Sequence, residues 1–295
     1  EAEKLYKKVL EIEPNNTNHL GNYALFLYDI RKDYDEAEKL YKKVLEIEPN
    51  NTNHLGNYAL FLYDIRKDYD EAEKLYKKVI ELQPNDADFL GNYANFLEDI
   101  RKDYDEAEKL YKKVLEIELN NANNIGNYAL FLYEIRKDYD EAEKLYKKAI
   151  ELQPNDADFL GNYALFLEDI RKDYDKAEKL YKKAIEVEPN DANHMGNYAK
   201  LLFILKRKQD AVALIQKTLL QENLEKELLC KIYFYLYAHD YQEFPEAKEK
   251  LLALLDSGES SPGWELSENV RVAIEDGHPE PEVLRELAER ISAVV

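Results

Sequence analysis

The 295-residue chain has little of three things: cysteine, net positive charge and long apolar runs. A single cysteine, Cys230, excludes an internal disulfide framework and favours a reducing compartment, so we predict a cytoplasmic protein. The formal net charge is −20, whereas nucleic-acid binding requires a positive surface. No apolar run approaches the roughly 20 residues that span a bilayer. We therefore predict neither nucleic acid nor a membrane as a partner.

The sequence motifs of enzymes and cofactor-binding proteins are also missing. The chain has no Gly-rich phosphate loop, no Cys-pair metal motif and no strand-turn-helix nucleophile motif. Cys230 lies in the apolar run LLCKIYFYL, which indicates a small buried side chain rather than a nucleophile. We therefore predict a protein that is not an enzyme, has no catalytic residues and needs no cofactor.

The dominant positive feature of the chain is a repeat of 35 residues. Residues 1–35 and 36–70 are identical, and near-copies begin at Glu71, Glu106, Glu141 and Lys176. A fixed period in this range is typical of a solenoid, in which each unit buries its apolar face against its neighbours. The identity of the first two repeats indicates recent duplication or deliberate design, and the sequence does not separate the two.

Each repeat is predicted to contain two helices. The first helix spans Asn18–Arg31, and its apolar residues fall on one face at helical spacing: Leu20, Tyr23, Ala24, Leu27 and Ile30. The second helix begins near Asp35, which resembles half of a capping box with Glu38. Its predicted apolar face consists of Ala37, Leu40, Tyr41, Val44, Leu45 and Ile47. The residues predicted to face solvent are Lys39, Lys42 and Lys43.

This unit resembles a tetratricopeptide (TPR) repeat that is one residue longer than the family's usual 34. Tyr23 and Ala24 take the places of the family's Leu-Gly pair, and Ala37 and Tyr41 match its small and aromatic positions in the second helix. The extra residue falls in the Arg-Lys-Asp turn. The resemblance implies an all-α, right-handed TPR-like superhelical solenoid of antiparallel helix pairs, with the first helices lining its concave surface.

The repeat pattern divides the chain into four predicted parts. Residues 1–15 form the second helix of a truncated repeat, 16–221 form six TPR-like repeats, 222–256 a degenerate seventh hairpin, and 257–295 a C-terminal helical cap. We expect further chain before Glu1, because the first helix of that repeat is missing. The apolar face of this uncapped helix would lack part of its cover, which predicts self-association through it.

One asparagine recurs in the first helix of each of the six repeats, opposite the apolar face. This Asn22 series consists of Asn22, Asn57, Asn92, Asn127, Asn162 and Asn197. A primary amide offers one acceptor and two donors, so it can bind both the N–H and the C=O of an extended peptide. Asparagines at this position resemble those of peptide-binding TPR grooves. Two alternatives stay open: a hydrogen bond to the neighbouring helix, and simple copying of the repeat.

Apolar and aromatic residues accompany the Asn22 series and are further candidates for contact with a peptide. They are Leu25, Leu60 and Leu130, together with Tyr28, Tyr63 and Tyr133; Asn95 takes the leucine position in repeat three. Such residues anchor partners when exposed, whereas close packing of adjacent first helices would cover them. Repeats three and five carry glutamate at the tyrosine position, and this alternation favours binding over a ligand-free array. Asp29 and its copies make the surface acidic, so a neutral or basic partner is predicted.

Histidine occupies one position of repeats one, two and six, as His19, His54 and His194. The first two should stand a helix pair apart, roughly 10–20 Å from ordinary interaxial spacings. Zinc ligands lie about 2 Å from the metal, so these histidines cannot share an ion. We therefore predict no metal site.

These observations together predict a protein- or peptide-binding scaffold that holds an extended segment in the concave groove. Two other interpretations stay open. The array could be a regulatory or sensor arm of a larger bacterial effector, such as a caspase-like protease or an NTPase system. It could also be a structural or designed repeat array without a ligand.

Overall fold

The computed structural model describes residues 1–261 and 263–293, and every regular element in that part of the chain is helical. Pro262, Val294 and Val295, which the predicted cap includes, lie outside the described residues. The all-α prediction is confirmed for the part of the chain that the structure describes.

The chain forms two compact units, Glu1–Tyr128 and Ala129–Val295, which we call the N-terminal and C-terminal units. The helices up to the boundary are α1 (Ala2–Ile12), α2 (Thr17–Phe26), α3 (Tyr34–Ile47), α4 (Thr52–Phe61), α5 (Tyr69–Leu82), α6 (Ala87–Phe96), α7 (Tyr104–Ile117) and α8 (Ala122–Phe131), which spans it. The remaining helices are α9 (Tyr139–Leu152), α10 (Ala157–Phe166), α11 (Tyr174–Val187), α12 (Ala192–Ile204), α13 (Lys208–Leu219), α14 (Lys226–Asp240), α15 (Ala247–Asp256), α16 (Ser267–Glu275) and α17 (Pro281–Ser292).

Within each unit, a first helix packs against the second helix that follows it, as in α2 with α3 and α10 with α11. The last two helices break this order. Helix α16 packs on α12 and α14, which are both first helices, and α17 packs on α14. The C-terminal helices therefore cover the first helices of the last two hairpins.

The thirty-fifth residue of the repeat is accommodated in a π-helical turn at the end of the first helix. In repeat one this turn is Leu27–Arg31, and its first carbonyl accepts hydrogen bonds from the backbone N–H groups of Lys32 and Asp33. Repeat six lacks the extra residue, and α12 runs to Ile204 without a π-turn. The extra residue thus lies within the helix, one turn earlier than predicted, because a π-turn holds one more residue than an α-turn.

Side-chain caps mark the starts of helices α2–α12. The Asn51 carboxamide oxygen accepts a hydrogen bond from the His54 backbone N–H at 3.3 Å, which confirms Asn51 as the N-cap of α4. Helix α3 is capped by Asp33, which accepts from the Glu36 backbone N–H at 3.4 Å. The predicted capping box at Asp35 is wrong, because the preceding helix already ends at Lys32, whose φ of 56° is left-handed.

The core follows the predicted apolar faces at most positions. The signature residues confirmed as buried are Tyr23, Ala24, Leu27, Ala37, Tyr41 and Val44. Ile30 is 68% exposed instead, whereas its copies in the same π-turn, Ile65, Ile100, Ile135 and Ile170, are half-buried, so this exposure belongs to repeat one and not to the π-turn. Lys39 and Lys42 are exposed as predicted, but Lys43 is half-buried since its ammonium donates to the Pro14 carbonyl at 2.7 Å.

Helix α1 is held to α2 by aromatic stacking, with the Tyr6 and Tyr23 ring centroids 5.3 Å apart. Leu5 and Ile12 of the same helix are 60% and 72% exposed. These are the apolar side chains on which the prediction of self-association rests.

Candidate functional site

The amide groups of the Asn22 series face no protein partner among the described residues. Asn22 and Asn127 are exposed, and the other four members are half-buried. None of the six side chains forms a hydrogen bond to another described residue, although Tyr, Asp and Glu side chains nearby are extensively bonded. The interhelical hydrogen bond considered as an alternative role is therefore not made in this part of the chain.

Each tyrosine of the Tyr28 series joins its repeat to the next one. The Tyr28 hydroxyl donates to Asp64 Oδ2 at 2.7 Å, and its ring meets the Phe61 ring edge-on with centroids 5.8 Å apart. In the same way, Tyr63 donates to Asp99 at 2.6 Å, and Tyr133 donates to Asp169 at 3.2 Å. All three rings are half-buried, so close packing covers part of each aromatic surface.

Burial is the largest cause that raises the pKa of the Tyr28 hydroxyl, and the hydrogen bond to Asp64 raises it further. Burial and the hydrogen bond to Asp99 likewise raise the pKa of Tyr63, and burial and the negative charge of Asp169 raise the pKa of Tyr133. These hydroxyls therefore stay protonated and donate to the aspartates. Each of these aspartates already accepts a hydrogen bond from a tyrosine, so fewer carboxylate oxygens remain for an external cation.

Glu98 and Glu168, the glutamates at the tyrosine position, accept hydrogen bonds from tyrosines in the second helix of the same repeat. The Tyr111 hydroxyl lies 2.7 Å from both Asn95 Oδ1 and Glu98 Oε2, and the Tyr181 hydroxyl donates to Glu168 at 3.0 Å. Where the first helix carries tyrosine, the matching hydroxyls have no hydrogen-bond partner among the described residues: Tyr41, Tyr76 and Tyr146. Hydrogen bonding thus explains the alternation that favoured ligand binding in the sequence analysis.

The leucines beside the Asn22 series stay partly accessible. Leu25, Leu60 and Leu130 are half-buried, as is Asn95, whereas Leu165 of repeat five is buried. A half-buried apolar side chain retains area that a ligand can cover. The structure thus leaves an accessible leucine and an unbonded amide together on α2, α4 and α8.

Repeat six closes this surface with a buried ionic cluster that the sequence analysis did not identify. Lys200, at the leucine position, is 1% exposed, and its Nζ lies 3.1 Å from Glu168 Oε1 and 2.7 Å from Asp169 Oδ1. The Trp264 ring covers the ammonium at 4.7 Å, and Asn269 donates to the Lys200 carbonyl at 3.3 Å. Two features of the sequence could have indicated this cluster: Lys200 replaces the leucine of most other repeats, and Trp264 in the cap is the one tryptophan of the chain.

The charges in this cluster hold each other in place. Burial raises the pKa of the Glu168 carboxyl, and Lys200 partly opposes that rise. Burial disfavours the Lys200 ammonium, but Glu168 and Asp169 outweigh this effect and raise the pKa of Lys200. Lys200 therefore stays charged between two carboxylates, and the C-terminal helices are anchored on the first-helix surface at this end of the C-terminal unit.

The antiparallel helix pairs define an all-α repeat solenoid, a class of scaffold that binds other proteins. Family models described as tetratricopeptide repeat match residues 22–51, 65–123 and 180–213, and a model described as TmcB, TPR repeats, matches residues 104–159 and 140–194. These matches cover more than half of the chain. The chain belongs to the tetratricopeptide repeat family.

Solved structures of several TPR proteins share the fold. A tetratricopeptide repeat protein from Parabacteroides merdae is 19% identical over 93% of this chain and 98% of its own, with a TM-score of 0.61. PilW, a type IV pilus biogenesis factor, is 17% identical over 81% of this chain and 98% of its own, also with a TM-score of 0.61. Pseudomonas aeruginosa PilF is 20% identical over 70% of this chain and 89% of its own, with a TM-score of 0.55.

At these identities the structural likeness concerns the fold alone. A comparison with curated protein sequences finds no match. None of the helices in the described part of the chain has the length and apolar character needed to cross a membrane.

Proposed function

We propose that this protein is a non-catalytic scaffold that holds an extended, neutral or basic segment of another protein against its first helices. The observation that carries the proposal is that no amide of the Asn22 series is bonded to a described residue. Asparagine is a mediocre helix former, and a structural hydrogen bond would have explained its recurrence. Without that bond, the six amides remain as donors and acceptors for a ligand backbone.

The ligand is proposed to lie along the first helices of either unit, with the accessible leucines contributing apolar contact. Backbone recognition predicts little dependence on the ligand's side chains, because every peptide carries the same N–H and C=O groups. The net charge of −20 disfavours acidic ligands. The buried thiol of Cys230 is compatible with a reducing, cytoplasmic compartment, which stays part of the proposal.

A second proposed partner is another copy of the same chain, bound through α1. Leu5 and Ile12 are largely exposed on a helix whose other face packs on α2. Covering such apolar area is worth about 25 cal/mol per Å². A second copy of the chain is the occupant proposed for this face.

An array of extended peptides with neutral, basic and acidic compositions tests the peptide-binding proposal. We expect neutral and basic peptides to bind, and binding to weaken when backbone N–H groups of a bound peptide are methylated. Replacing Asn57, Asn92 and Asn127 by alanine should weaken binding roughly tenfold or more, since each lost hydrogen bond is worth about 1 kcal/mol.

The chain offers matched controls for these substitutions. Asn50, Asn85 and Asn120 are exposed asparagines in the loops that precede α4, α6 and α8, away from the helix face of the Asn22 series. Their replacement by alanine should leave peptide binding unchanged. Equal effects of the two sets would contradict the proposal, and so would a loss of helicity that parallels the loss of binding.

A further inference from the structure

The loops between repeats pair an acidic residue with an amide three positions away. In three loops a glutamate accepts a hydrogen bond from the N-cap asparagine, at 2.7–2.8 Å: Glu13–Asn16, Glu48–Asn51 and Glu118–Asn121. In two other loops the N-cap is an aspartate and the partner is glutamine instead: Gln83–Asp86 and Gln153–Asp156. Each of these five loops thereby avoids placing two carboxylates side by side.

The sixth loop breaks this rule, because Glu188 precedes the N-cap Asp191. Asp191 cannot donate the hydrogen bond that Asn51 gives to Glu48. A second donor is also lost: the Thr17 hydroxyl donates to Glu48 at 2.6 Å, and Ala157 occupies the corresponding position here. The Glu188 carboxylate accepts no hydrogen bond from the described residues. Glu188 and Asp191 thus place two carboxylates together, and a cation between them would be attracted by both charges.

A buried histidine completes the cluster. His194 is 5% exposed, and its Nδ1 lies 3.7 Å from Asp191 Oδ1. Ligand atoms of Glu188, Asp191 and His194 lie within 4.8 Å of one another. The backbone N–H of His194 occupies only Asp191 Oδ1, at 2.7 Å, so Oδ2 stays open to a ligand.

The far edge of the imidazole meets another carboxylate. Its Nε2 has no hydrogen-bond partner among the described residues and lies 3.7 Å from Oδ1 of Asp158, on α10 of the preceding repeat. Metal-bound histidines regularly donate their second ring N–H to a carboxylate, which orients the ring. Asp158 is well placed for this, since its exposed side chain can close the remaining gap.

We propose that Glu188, Asp191 and His194 bind a divalent cation of the Zn²⁺ class, with Asp158 holding the histidine ring. One imidazole nitrogen and two carboxylate oxygens suit zinc, and water can complete the coordination because Glu188 is exposed. Ligand atoms of a tetrahedral zinc ion lie about 3.5 Å apart, so binding requires side-chain rotations that bring these atoms closer than the present limit of 4.8 Å. The ion would fasten α12 to α10 through Asp158, beside Asn162 and Asn197.

The same chain contains a natural control at His54. This histidine is also buried with an unpartnered Nε2, and its ring lies on Gly21 as that of His194 lies on Gly161. The loop there is Glu48–Asn51, with the hydrogen bonds intact. One carboxylate and one histidine do not make a zinc site, so Zn²⁺ should distinguish His194 from His54.

Calorimetric titration of the metal-free chain with ZnCl₂, at about 150 mM salt to screen the acidic surface, tests the proposal. We expect one site per chain that is tighter than any background. Asp191→Asn should weaken this site roughly hundredfold, and Asp158→Asn by about 10–100-fold. Both variants should fold, because asparagine occupies the corresponding positions in repeats one and two.

Imidazole ¹⁵N spectra give a second readout, in which Zn²⁺ should shift His194 Nδ1 and leave His54 and His19 unchanged. Asn51→Asp combined with Thr17→Ala and Asn18→Asp should raise the stoichiometry to two. Equal Zn²⁺ affinity of the parent and Asp191→Asn would overturn the proposal. Shifts of all three histidines together would also overturn it, since they would indicate general binding by surface carboxylates.

Discussion

Replacing Lys200 by methionine tests how the C-terminal helices are held on the repeat array. The substitution removes the ammonium and keeps an unbranched side chain of similar length beneath Trp264. It leaves the carboxylates of Glu168 and Asp169, which are 1% and 6% exposed, without their cation. Removing one partner of a buried ion pair typically costs 3–5 kcal/mol, so we expect a local loss of about that size at neutral pH.

The pH dependence of this loss follows from the direction of the Glu168 pKa. Burial already raises that pKa in the parent, and loss of Lys200 removes the attraction that opposes the rise. A carboxyl whose folded-state pKa is raised contributes stability below its unfolded pKa of about 4.3 and loses it as pH rises through the folded value. The variant's deficit should therefore be largest at and above neutral pH and should shrink on acidification.

Native-state hydrogen exchange of the full chain is the suitable assay, because long repeat arrays do not unfold in one cooperative step. Exchange should accelerate in α10, α12 and α16, whereas α2–α5 serve as an internal reference. The exposed Lys39→Met is a matched control and should change little. Adding Glu168→Gln to Lys200→Met should restore part of the loss. A local change below about 1 kcal/mol, or one that is independent of pH, would refute the reasoning.

Three further predictions concern the repeats and α1. Gly56→Ala should destabilise the N-terminal unit by about 1–3 kcal/mol in thermal unfolding, because the new Cβ would lie 2.1 Å from a Phe89 ring atom. Gly91→Ala is the matched control. Its Cβ would meet one atom at 3.4 Å, so this substitution should be neutral or stabilising. Tyr63→Phe should cost about 1 kcal/mol in local hydrogen exchange through loss of the bond to Asp99, and an unchanged rate would contradict that role. Leu5→Lys combined with Ile12→Lys should abolish concentration-dependent association in light scattering and leave the packing of α1 on α2 intact. A parent chain that is monomeric throughout would show that these exposed residues have no such role.

The buried positions of each repeat could be predicted from the sequence because they depend on local periodicity. Tyr23, Ala24 and Leu27 recur at α-helical spacing, and a solenoid buries each such face against its immediate neighbours. The repeat itself supplied the all-α class and the family resemblance. The same local argument misplaced Ile30, which is exposed although Ile65 in the identical second repeat is half-buried, because burial in a solenoid also depends on the neighbouring repeats.

The surroundings of the candidate site could not be predicted from one repeat, because they depend on contacts between repeats. Tyr28 and Asp64 lie 36 positions apart, and their hydrogen bond exists only once adjacent first helices pack together. Whether the amides of the Asn22 series are bonded likewise depends on the residues packed around them, which the spacing of the repeat does not show.

The end of the array depends most strongly on tertiary structure. The positions of Lys200 and Trp264 in the sequence do not show that the cap folds back over a first helix. His194 meets Asp158 of the preceding repeat in the same non-local way. The sequence by itself determined the helical repeat, because helix periodicity and capping act over a few residues. Only the tertiary structure decided which charged and polar side chains meet between repeats, because those contacts depend on how the helices pack.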